Sequence, residues 1–208
     1  MRTKADLWEI EKEIFEERGE KLFCGIDEAG RGPLCGPVCA AAVVLPFGLE
    51  IEDLDDSKKL SEKKREMLYD IIAKESLSWS VAFASEKEID EVNILNATFL
   101  AMKRAVKGLE VKPEFVLIDG NRSPKLDIPL KTIVKGDSKS ANIAAASIMA
   151  KVSRDRYMRE LSVKYPEYLL EKHKGYPTKE HYEILRRYGV KDFYRMSFLK
   201  NLEEHYER

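Results

Sequence analysis

The stretch Phe115-Val-Leu-Ile-Asp119 is a short apolar run that ends in a carboxylate. A continuous apolar run of this length is typical of a strand that is buried on both faces. Open α/β sheets place their functional residues outside the carboxyl ends of such strands. The run therefore predicts a strand inside an α/β sheet, with Asp119 at the edge where a site is expected.

Four other segments have the composition and the turn signals of strands. They cover residues 22–28, 38–45, 79–84 and 130–134. Helical periodicity is found at residues 6–17, 61–75, 86–109 with a break near Asn93, 141–161 and 179–188. This order predicts a mixed five-stranded sheet flanked by helices, with a helical C-terminal portion. We expect one domain with a short N-terminal helix over residues 1–160, and a separate helical cap beside the sheet over residues 161–208.

The composition is that of a globular protein. Of the 208 residues, 44% are hydrophobic and 35% are charged, which excludes a disordered acidic tail and a membrane protein. No apolar run approaches the roughly 20 residues that span a bilayer, and the N-terminus lacks the apolar stretch of a secretory signal. We therefore expect a cytoplasmic protein without membrane contact. Cys24, Cys35 and Cys39 lie close together in an apolar stretch and are expected to be reduced core residues.

The net charge favours no class of partner, because 36 basic residues balance 37 acidic ones. Residues 121–160, however, contain nine basic and four acidic side chains. Contacts to phosphate depend on local charge, so this segment could face a nucleic acid. A solvated helix face explains the same excess equally well.

Four carboxylates follow three of the predicted strands. Asp27 and Glu28 end the first strand, Asp119 ends the fourth, and Asp137 follows the fifth. They converge if these three strands are neighbours. Crowded acids repel one another unless a hard cation lies between them, and oxygen ligands without nearby His or Cys favour Mg²⁺ or Mn²⁺ over Zn²⁺. For each acid taken alone, a turn or helix-capping role is the simpler explanation.

Gly30-Arg-Gly-Pro-Leu-Cys-Gly36 differs from a dinucleotide-binding loop, because its last glycine is one residue late and a strand-like run follows. The glycines around Arg31 nevertheless let the backbone approach a ligand closely, next to the acids. We therefore expect a loop that contacts a ligand other than a nucleotide cofactor.

The helix at residues 141–161 carries a polar stripe formed by Ser147, Lys151 and Arg154. This stripe could face a phosphodiester bound at the acids, or it could be a surface stripe paired with Asp155 and Glu160. The loop His173-Lys-Gly-Tyr-Pro-Thr178 places an aromatic ring beside two basic side chains, which suits stacking on a sugar or a nucleobase with phosphate contacts nearby. A plain loop is the alternative. His173 and His181 are too far apart on a broken segment to predict a zinc site.

Six ordered motifs resemble those of the bacterial ribonuclease HII family, which belongs to the type 2 ribonucleases H. They are Gly25-Ile-Asp-Glu-Ala-Gly-Arg-Gly-Pro33, Asp56-Ser-Lys-Lys-Leu-Ser61, Val116-Leu-Ile-Asp-Gly-Asn121, Lys135-Gly-Asp-Ser138, Ala145-Ala-Ser-Ile-Met-Ala-Lys-Val-Ser-Arg-Asp155 and His173-Lys-Gly-Tyr-Pro-Thr178. The resemblance extends from Phe23 to about Phe198. The related ribonuclease HIII lacks the Gly-Arg-Gly sequence and carries an extra N-terminal domain, for which the residues before Phe23 leave no room.

The resemblance implies an RNase H-like fold and an endonuclease. Residues 1–160 would be its catalytic domain, and the helical cap over residues 161–208 would contribute to substrate binding. The substrates of the endonuclease would be RNA–DNA hybrids, in which it cuts the RNA strand, and duplex DNA with embedded ribonucleotides, which it cuts on their 5′ side to leave 3′-hydroxyl and 5′-phosphate ends. Two Mg²⁺ or Mn²⁺ ions would hold the scissile phosphate. The expected unit is a monomer.

The resemblance also implies roles for individual residues. The catalytic, metal-binding acids would be Asp27, Glu28, Asp119 and Asp137. Gly30, Arg31 and Gly32 would recognise the 2′-hydroxyl and the junction, and Tyr176 would contact the following deoxynucleotide. Candidate contacts to neighbouring phosphates are Lys58, Ser147 and Lys151. Two alternatives stay open, a non-catalytic hybrid-binding module and another nuclease of the same fold, such as a resolvase that cuts branched DNA.

Overall fold

A computed structural model describes residues 6–55 and 57–200. Its five strands form one sheet with the order β3-β2-β1-β4-β5. The strands are β1 Phe23–Ala29, β2 Val38–Val44, β3 Ser78–Ala84, β4 Phe115–Asp119 and β5 Leu130–Ile133. The α-helices are α1 Glu9–Arg18, α2 Glu62–Glu75, α3 Glu86–Lys107, α4 Ala141–Lys164, α5 Leu170–His173 and α6 Lys179–Tyr188. Short 3-10 helices lie at Ser57–Lys59, Gly136–Ser138, Pro166–Tyr168 and Met196–Phe198. The predicted mixed sheet with a helical C-terminal portion is confirmed.

The pairing of β1, β4 and β5 brings the predicted acids to one edge. β1 is parallel to β4 and β4 is parallel to β5, whereas β2 is antiparallel to both β1 and β3. Ile26 is aligned with Ile118, so the next residues, Asp27 near the end of β1 and Asp119 at the end of β4, lie side by side on adjacent strands. Because side chains alternate along a strand, both carboxylates lie on the sheet face opposite to the two isoleucines.

The two faces of the sheet are covered by different helices. Every residue of β2 is buried, and alternate residues contribute to the core under α3 and to the core under α2 and α4. This explains its continuous Ala and Val sequence. The break predicted near Asn93 is confirmed, because this residue has a φ of 68° inside α3 and its side chain accepts a hydrogen bond from the N–H of Asn96.

The N-terminus of α4 lies directly on β1. Gly25 faces the backbone of Asn142, and a Cβ at Gly25 would overlap with the carbonyl carbon of that residue. The side chain of Asn142 also binds the residue after β2, because its Oδ1 accepts a hydrogen bond from the N–H of Leu45 at 2.9 Å. These contacts place the start of α4 close to the carboxyl edge of the sheet.

The chain beyond α4 packs as a small helical layer around an aromatic core. Tyr168, Phe193 and Tyr194 are buried there with Leu34 and Cys35 from the loop after β1. α4 itself continues through residue 160, the expected domain boundary, to Lys164. The division into two domains stays a prediction. The three cysteines are free and buried, as expected, and no helix among the described residues has the length and apolar character to cross a membrane.

The N-terminal helix contains a buried carboxylate that the sequence pattern did not indicate. Glu11 accepts hydrogen bonds from Ser140 Oγ at 2.6 Å and from Asn142 Nδ2 at 3.1 Å, while its Oε2 atom has no hydrogen-bond partner within the described parts of the chain. Burial raises the pKa of this carboxyl group, and the two hydrogen bonds partly oppose the shift. Helix α1 is thus attached to the start of α4 through a buried carboxyl group that is only partly hydrogen-bonded.

We predict that Glu11→Gln leaves the protein at least as stable as the wild type at neutral pH. Because the pKa of Glu11 is raised in the folded state, the contribution of this carboxyl group to stability is fully present below its ordinary pKa of 4.5. That contribution is lost as the pH rises through the folded-state pKa. The neutral amide does not ionise and therefore avoids this pH-dependent loss. Thermal melts from pH 4 to 8 test this. A variant that is less stable at neutral pH would show that the ionised form stabilises the N-terminus of α4.

Candidate active site

A groove of about 430 Å³ opens at the carboxyl ends of β1 and β4. It is lined by ten of the eleven residues predicted from the sequence: Asp27, Glu28, Gly30, Arg31, Gly32, Lys58, Asp119, Ser147, Lys151 and Tyr176. The eleventh, Asp137, lies beside the groove in the 3-10 helix after β5. The structure therefore brings together residues that are separated by as many as 149 positions in the sequence.

Asp27 is the most buried acid of the groove. Its Oδ1 accepts from the N–H of Glu28 at 2.7 Å. The hydroxyl of Ser147, which is hydrogen-bonded to that of Ser57 at 2.8 Å, lies nearby and favours the ionised form of Asp27 by lowering its pKa. Burial raises the pKa of Asp27 well above its ordinary value, and the charges of Glu28 and Asp119 raise it further. Asp27 is thus a carboxylate whose charge is costly unless a cation approaches it.

The other three acids already have protein partners. Glu28 Oε1 lies 3.4 Å from Arg31 Nη1, and burial raises the pKa of Glu28 although Arg31 opposes the shift. Asp119 Oδ1 accepts from the N–H of Gly136 at 2.6 Å, which ties β4 to the turn that carries Asp137. Asp137 Oδ2 lies 3.8 Å from Lys58 Nζ. Each carboxylate is therefore oriented by a nearby donor or cation.

The donor set fits a hard divalent cation. All four side chains offer oxygen, and Asp27, Glu28 and Asp119 repel one another at the groove. In residues 6–55 and 57–200, no three His, Cys, Asp or Glu side chains are arranged to hold a metal ion as they stand. Carboxylates drawn toward Arg31 and Lys58 would have to rotate inward to share an ion.

The Gly30-Arg31-Gly32 turn lies against two side chains from distant parts of the chain. Gly30 has a φ of +92°, and a Cβ there would overlap with the guanidinium arm of Arg154. A Cβ at Gly32 would lie 3.6 Å from a ring carbon of Tyr176. The glycines therefore let the backbone lie closely between α4 and the Tyr176 ring, and the predicted approach of this backbone to a ligand stays a prediction.

The polar stripe on α4 is only partly exposed to the groove. Ser147 and Lys151 line it, but the Nζ of Lys151 is bound to Asp155 Oδ1 at 2.7 Å. Arg154 touches the groove wall and is almost fully buried, because its guanidinium donates to the carbonyls of Cys35, Pro37 and Lys174. Neither alternative for the stripe, a phosphodiester-facing side or a surface face, describes Arg154, because it is buried and three of its N–H groups are bound to backbone carbonyls.

The phosphate-contact candidate Lys58 differs from Lys151 in its surroundings. Its side chain is 77% exposed and extends over Asp137 at the rim of the groove. The motif to which it belongs begins at Asp56, which lies outside the described residues.

His173 and His181 are close together, contrary to the inference from their spacing. Their rings stack with centroids 4.0 Å apart, because α5 and α6 fold back on one another. His173 donates to the carbonyl of Tyr168 and accepts from the N–H of Gly175, while His181 donates to the carbonyl of Tyr176 and accepts from the Tyr194 hydroxyl. Burial lowers the pKa of both imidazoles, that of His181 to about 4. The pair supports the loop of Tyr176, whose own side chain is 43% exposed.

Sequence reasoning missed the second half of the site. An adjoining cavity of about 490 Å³ shares Glu28, Arg31 and Asp119 with the groove. Its other walls are Leu95, Thr98, Phe99, Met102, Gly120, Asn121 and Arg122. An available signal was that Asn121 ends the Val116–Asn121 motif and that Arg122 follows it, whereas the residues of helix α3 carried none.

Comparison with known proteins identifies the family. A model of the family described as ribonuclease HII matches residues 24–201. A ribonuclease HII from Caldicellulosiruptor bescii is 57% identical over 204 residues, which cover 97% of this chain and 98% of the relative.

Solved structures agree with this assignment. The ribonuclease H2 from Pyrococcus horikoshii OT3 matches with a TM-score of 0.73 and 29% identity, over 89% of this chain and 99% of that one. A ribonuclease HII from Archaeoglobus fulgidus, solved in complex with PCNA, matches with a TM-score of 0.66 and 27% identity, over 84% and 94% of the two chains. The chain therefore belongs to the ribonuclease HII family and is a ribonuclease H, a hydrolase with an RNase H-like fold.

Proposed function

We propose that the chain hydrolyses the RNA strand of RNA–DNA hybrids and also cuts on the 5′ side of ribonucleotides embedded in duplex DNA, leaving 3′-hydroxyl and 5′-phosphate ends. Family membership implies the first activity. The second is supported by one observation, namely that the Gly30–Gly32 turn, Tyr176 and the acids line the same groove. A scissile phosphate at the acids would have its neighbouring sugar at the turn.

The acids Asp27, Glu28, Asp119 and Asp137 would hold two divalent ions, either Mg²⁺ or Mn²⁺. When bound, such ions supply an activated water and stabilise the leaving 3′ oxygen. The protein contributes a buried carboxylate, Asp27, that is held in place by the N–H of Glu28 and lies near the hydroxyl of Ser147. Lys58 and Arg31 balance the charge of the neighbouring acids in the absence of metal.

The turn and the tyrosine would recognise the ribonucleotide. A 2′-hydroxyl both donates and accepts hydrogen bonds, so closely approaching backbone groups can distinguish it from a hydrogen atom. Tyr176 lies over Gly32 and is exposed enough to contact the next sugar. Lys58, Ser147 and Lys151 would contact neighbouring phosphates. Lys58 is better placed than Lys151 because its side chain is 77% exposed, against 25% for Lys151.

All residues of the groove come from one chain, which supports a monomer as the active unit. The helical cap over residues 161–208 would contribute to substrate binding through Tyr176. A cytoplasmic location stays a prediction. The Archaeoglobus fulgidus protein forms a complex with PCNA, and a sliding clamp is therefore a partner to test for this chain.

One gel tests the proposed function. A DNA duplex with one internal ribonucleotide, the matching all-DNA duplex, an RNA–DNA hybrid and a branched DNA are incubated with and without Mg²⁺ or Mn²⁺. We expect metal-dependent cleavage of the first duplex on the 5′ side of the ribonucleotide and of the hybrid. Cleavage of the hybrid alone would overturn the proposal for embedded ribonucleotides, and binding without cleavage would indicate a non-catalytic module.

We predict that Asp27→Asn lowers cleavage of both substrates by about 10³-fold or more, because electrostatic stabilisation at the reacting phosphate is lost. In chelator the variant should be at least as stable as the wild type, since the substitution removes a buried charge next to Glu28 and Asp119. Cleavage rates and thermal melts are measured on the same preparation. A clear loss of stability would instead indicate that Asp27 is a structural residue.

The two lysines provide a matched pair. Replacing Lys58 by Ala should weaken binding of all duplexes to a similar extent and reduce the slope of log K against log salt by roughly one unit. Lys151→Ala should change this slope less, because its ammonium group is held 2.7 Å from Asp155 and its side chain is only 25% exposed. Binding is measured in Ca²⁺ over a range of KCl concentrations. Equal slopes for Lys58→Ala and the wild type would contradict a phosphate contact.

Tyr176→Ala should lower the cleavage rate more than the affinity. A phosphate that is misplaced by about 1 Å can cost on the order of 10²-fold in rate. Single-turnover cleavage in Mg²⁺ and equilibrium binding in Ca²⁺ are compared on one single-ribonucleotide duplex, with Tyr182→Ala as a control in the same helical layer. Equal losses in rate and affinity would show that Tyr176 contributes affinity alone.

A further inference from the structure

Arg195 is a fully buried arginine whose guanidinium is surrounded by backbone carbonyls of a single loop. Its Nη2 donates to the carbonyl of Gly30 at 2.6 Å, and its Nη1 donates to those of Arg31 at 3.0 Å and Pro33 at 2.8 Å. Its Nε donates to the carbonyl of Gly36 at 2.8 Å. One side chain from the C-terminal segment thus binds four carbonyls of residues 30–36.

Arginine is the residue that suits this position. A guanidinium group carries five N–H donors in a rigid plane and no acceptor, so it can bind several carbonyls at fixed angles. Burial and the charge of nearby Arg154 lower the pKa of Arg195 to about 10, which still leaves it charged at neutral pH. A buried charge of this kind is retained only where its hydrogen bonds are well satisfied.

The carbonyls bound by Arg195 determine the direction in which the turn presents its amides. In a planar trans peptide the C=O and the following N–H point in opposite directions. Because the carbonyls of Gly30 and Arg31 face Arg195, the N–H groups of Arg31 and Gly32 face away from it. These residues line the groove, so the turn offers donors to whatever lies there.

Backbone hydrogen bonds connect the same segment to the Tyr176 loop. The N–H of Arg195 donates to the carbonyl of Leu34 at 2.9 Å, and the N–H of Gly36 donates to that of Phe193 at 2.9 Å. The N–H of Leu34 donates to the carbonyl of Gly175, the residue before Tyr176. The C-terminal segment, the turn and the tyrosine loop are therefore held as one unit, with Arg195 at its centre.

We propose that Arg195 is a positioning residue for ribonucleotide selection, because it fixes the orientation of the Gly30–Gly32 turn from the side opposite to the substrate. This inference rests on the proposed function, in which that turn recognises the 2′-hydroxyl. Its effect differs between the two substrates. A single embedded ribonucleotide offers one 2′-hydroxyl in one register, whereas a hybrid offers one at every nucleotide of the RNA strand.

The test compares Arg195→Met and Arg195→Lys with the wild type. For Arg195→Met, single-turnover cleavage of the single-ribonucleotide duplex should fall by about 100-fold, the cost of an approximately 1 Å displacement, and cleavage of the hybrid by less than about tenfold. Arg195→Lys keeps the charge but loses the planar arrangement of donors. Its cleavage rate on the single-ribonucleotide duplex should therefore lie between those of Arg195→Met and the wild type. Cut positions on the hybrid are mapped as well, and they should spread over more registers in both variants.

Arg104→Met is the matched control. Arg104 also donates to a backbone carbonyl, that of Phe83 at 2.8 Å, and it lies outside the groove. Arg104→Met should change the cleavage rates on both substrates by the same factor and leave the cut positions unaltered. All rates are measured well below the melting temperature of each variant.

The outcomes separate the inference from the function on which it rests. If the wild type fails to cut the single-ribonucleotide duplex, the proposed function falls, and the inference falls with it. If the wild type cuts this duplex but the Arg195 variants lose activity equally on both substrates, with unchanged cut positions, Arg195 only stabilises the fold and the inference is overturned. Failure of both Arg195 variants to melt cooperatively would overturn it in the same way.

Discussion

The contact between the backbone of β1 at Gly25 and the first turn of α4 determines where the chemistry of this protein can occur. A side chain at residue 25 would push the helix away from the sheet. With the helix in contact, Ser147 reaches Asp27 and the turn before α4 places Asp137 beside Asp119. The close approach of helix and sheet thus brings a strand end, a helix face and a preceding turn into one groove.

The groove combines opposite charges in separate places. Its acids lie at the strand ends, where burial and mutual repulsion raise the pKa of Asp27 and Glu28. Behind the Gly30–Gly32 turn, Arg154 and Arg195 are buried against carbonyls, so their positive charges are little screened by solvent or salt. A near-neutral protein can therefore attract a polyanion locally, because cations lie around and behind the surface that has to approach its phosphates.

The sequence was sufficient to predict the strands, their mixed arrangement, the interruption at Asn93 and ten residues of one groove. The strands and the interruption depend on hydrophobic periodicity and turn residues, and the acids on the rule that functional residues follow strand ends, all of which are local. Lys58, and the roles of the groove residues, were implied by the resemblance to the ribonuclease HII motifs. Burial of Glu11, Arg154 and Arg195 could not be predicted in this way, because their partners are largely carbonyl or hydroxyl groups far away in the chain. The stacking of His173 on His181 likewise depends on how α5 and α6 fold back on one another.

In the proposed function, the order of residues at the end of β1 links selection of the ribonucleotide to catalysis. Asp27 and Glu28 are fixed by the sheet, and Gly30 follows Glu28 after one residue. Since consecutive Cα atoms are about 3.8 Å apart, the turn cannot move more than a few ångströms relative to the acids without distorting β1. Arg195 restricts the remaining freedom from behind. A sugar bound at the turn would therefore place its adjoining phosphate at a constant offset from Asp27 and Glu28, so the position of the cut would follow from covalent geometry instead of from separate recognition of the bond.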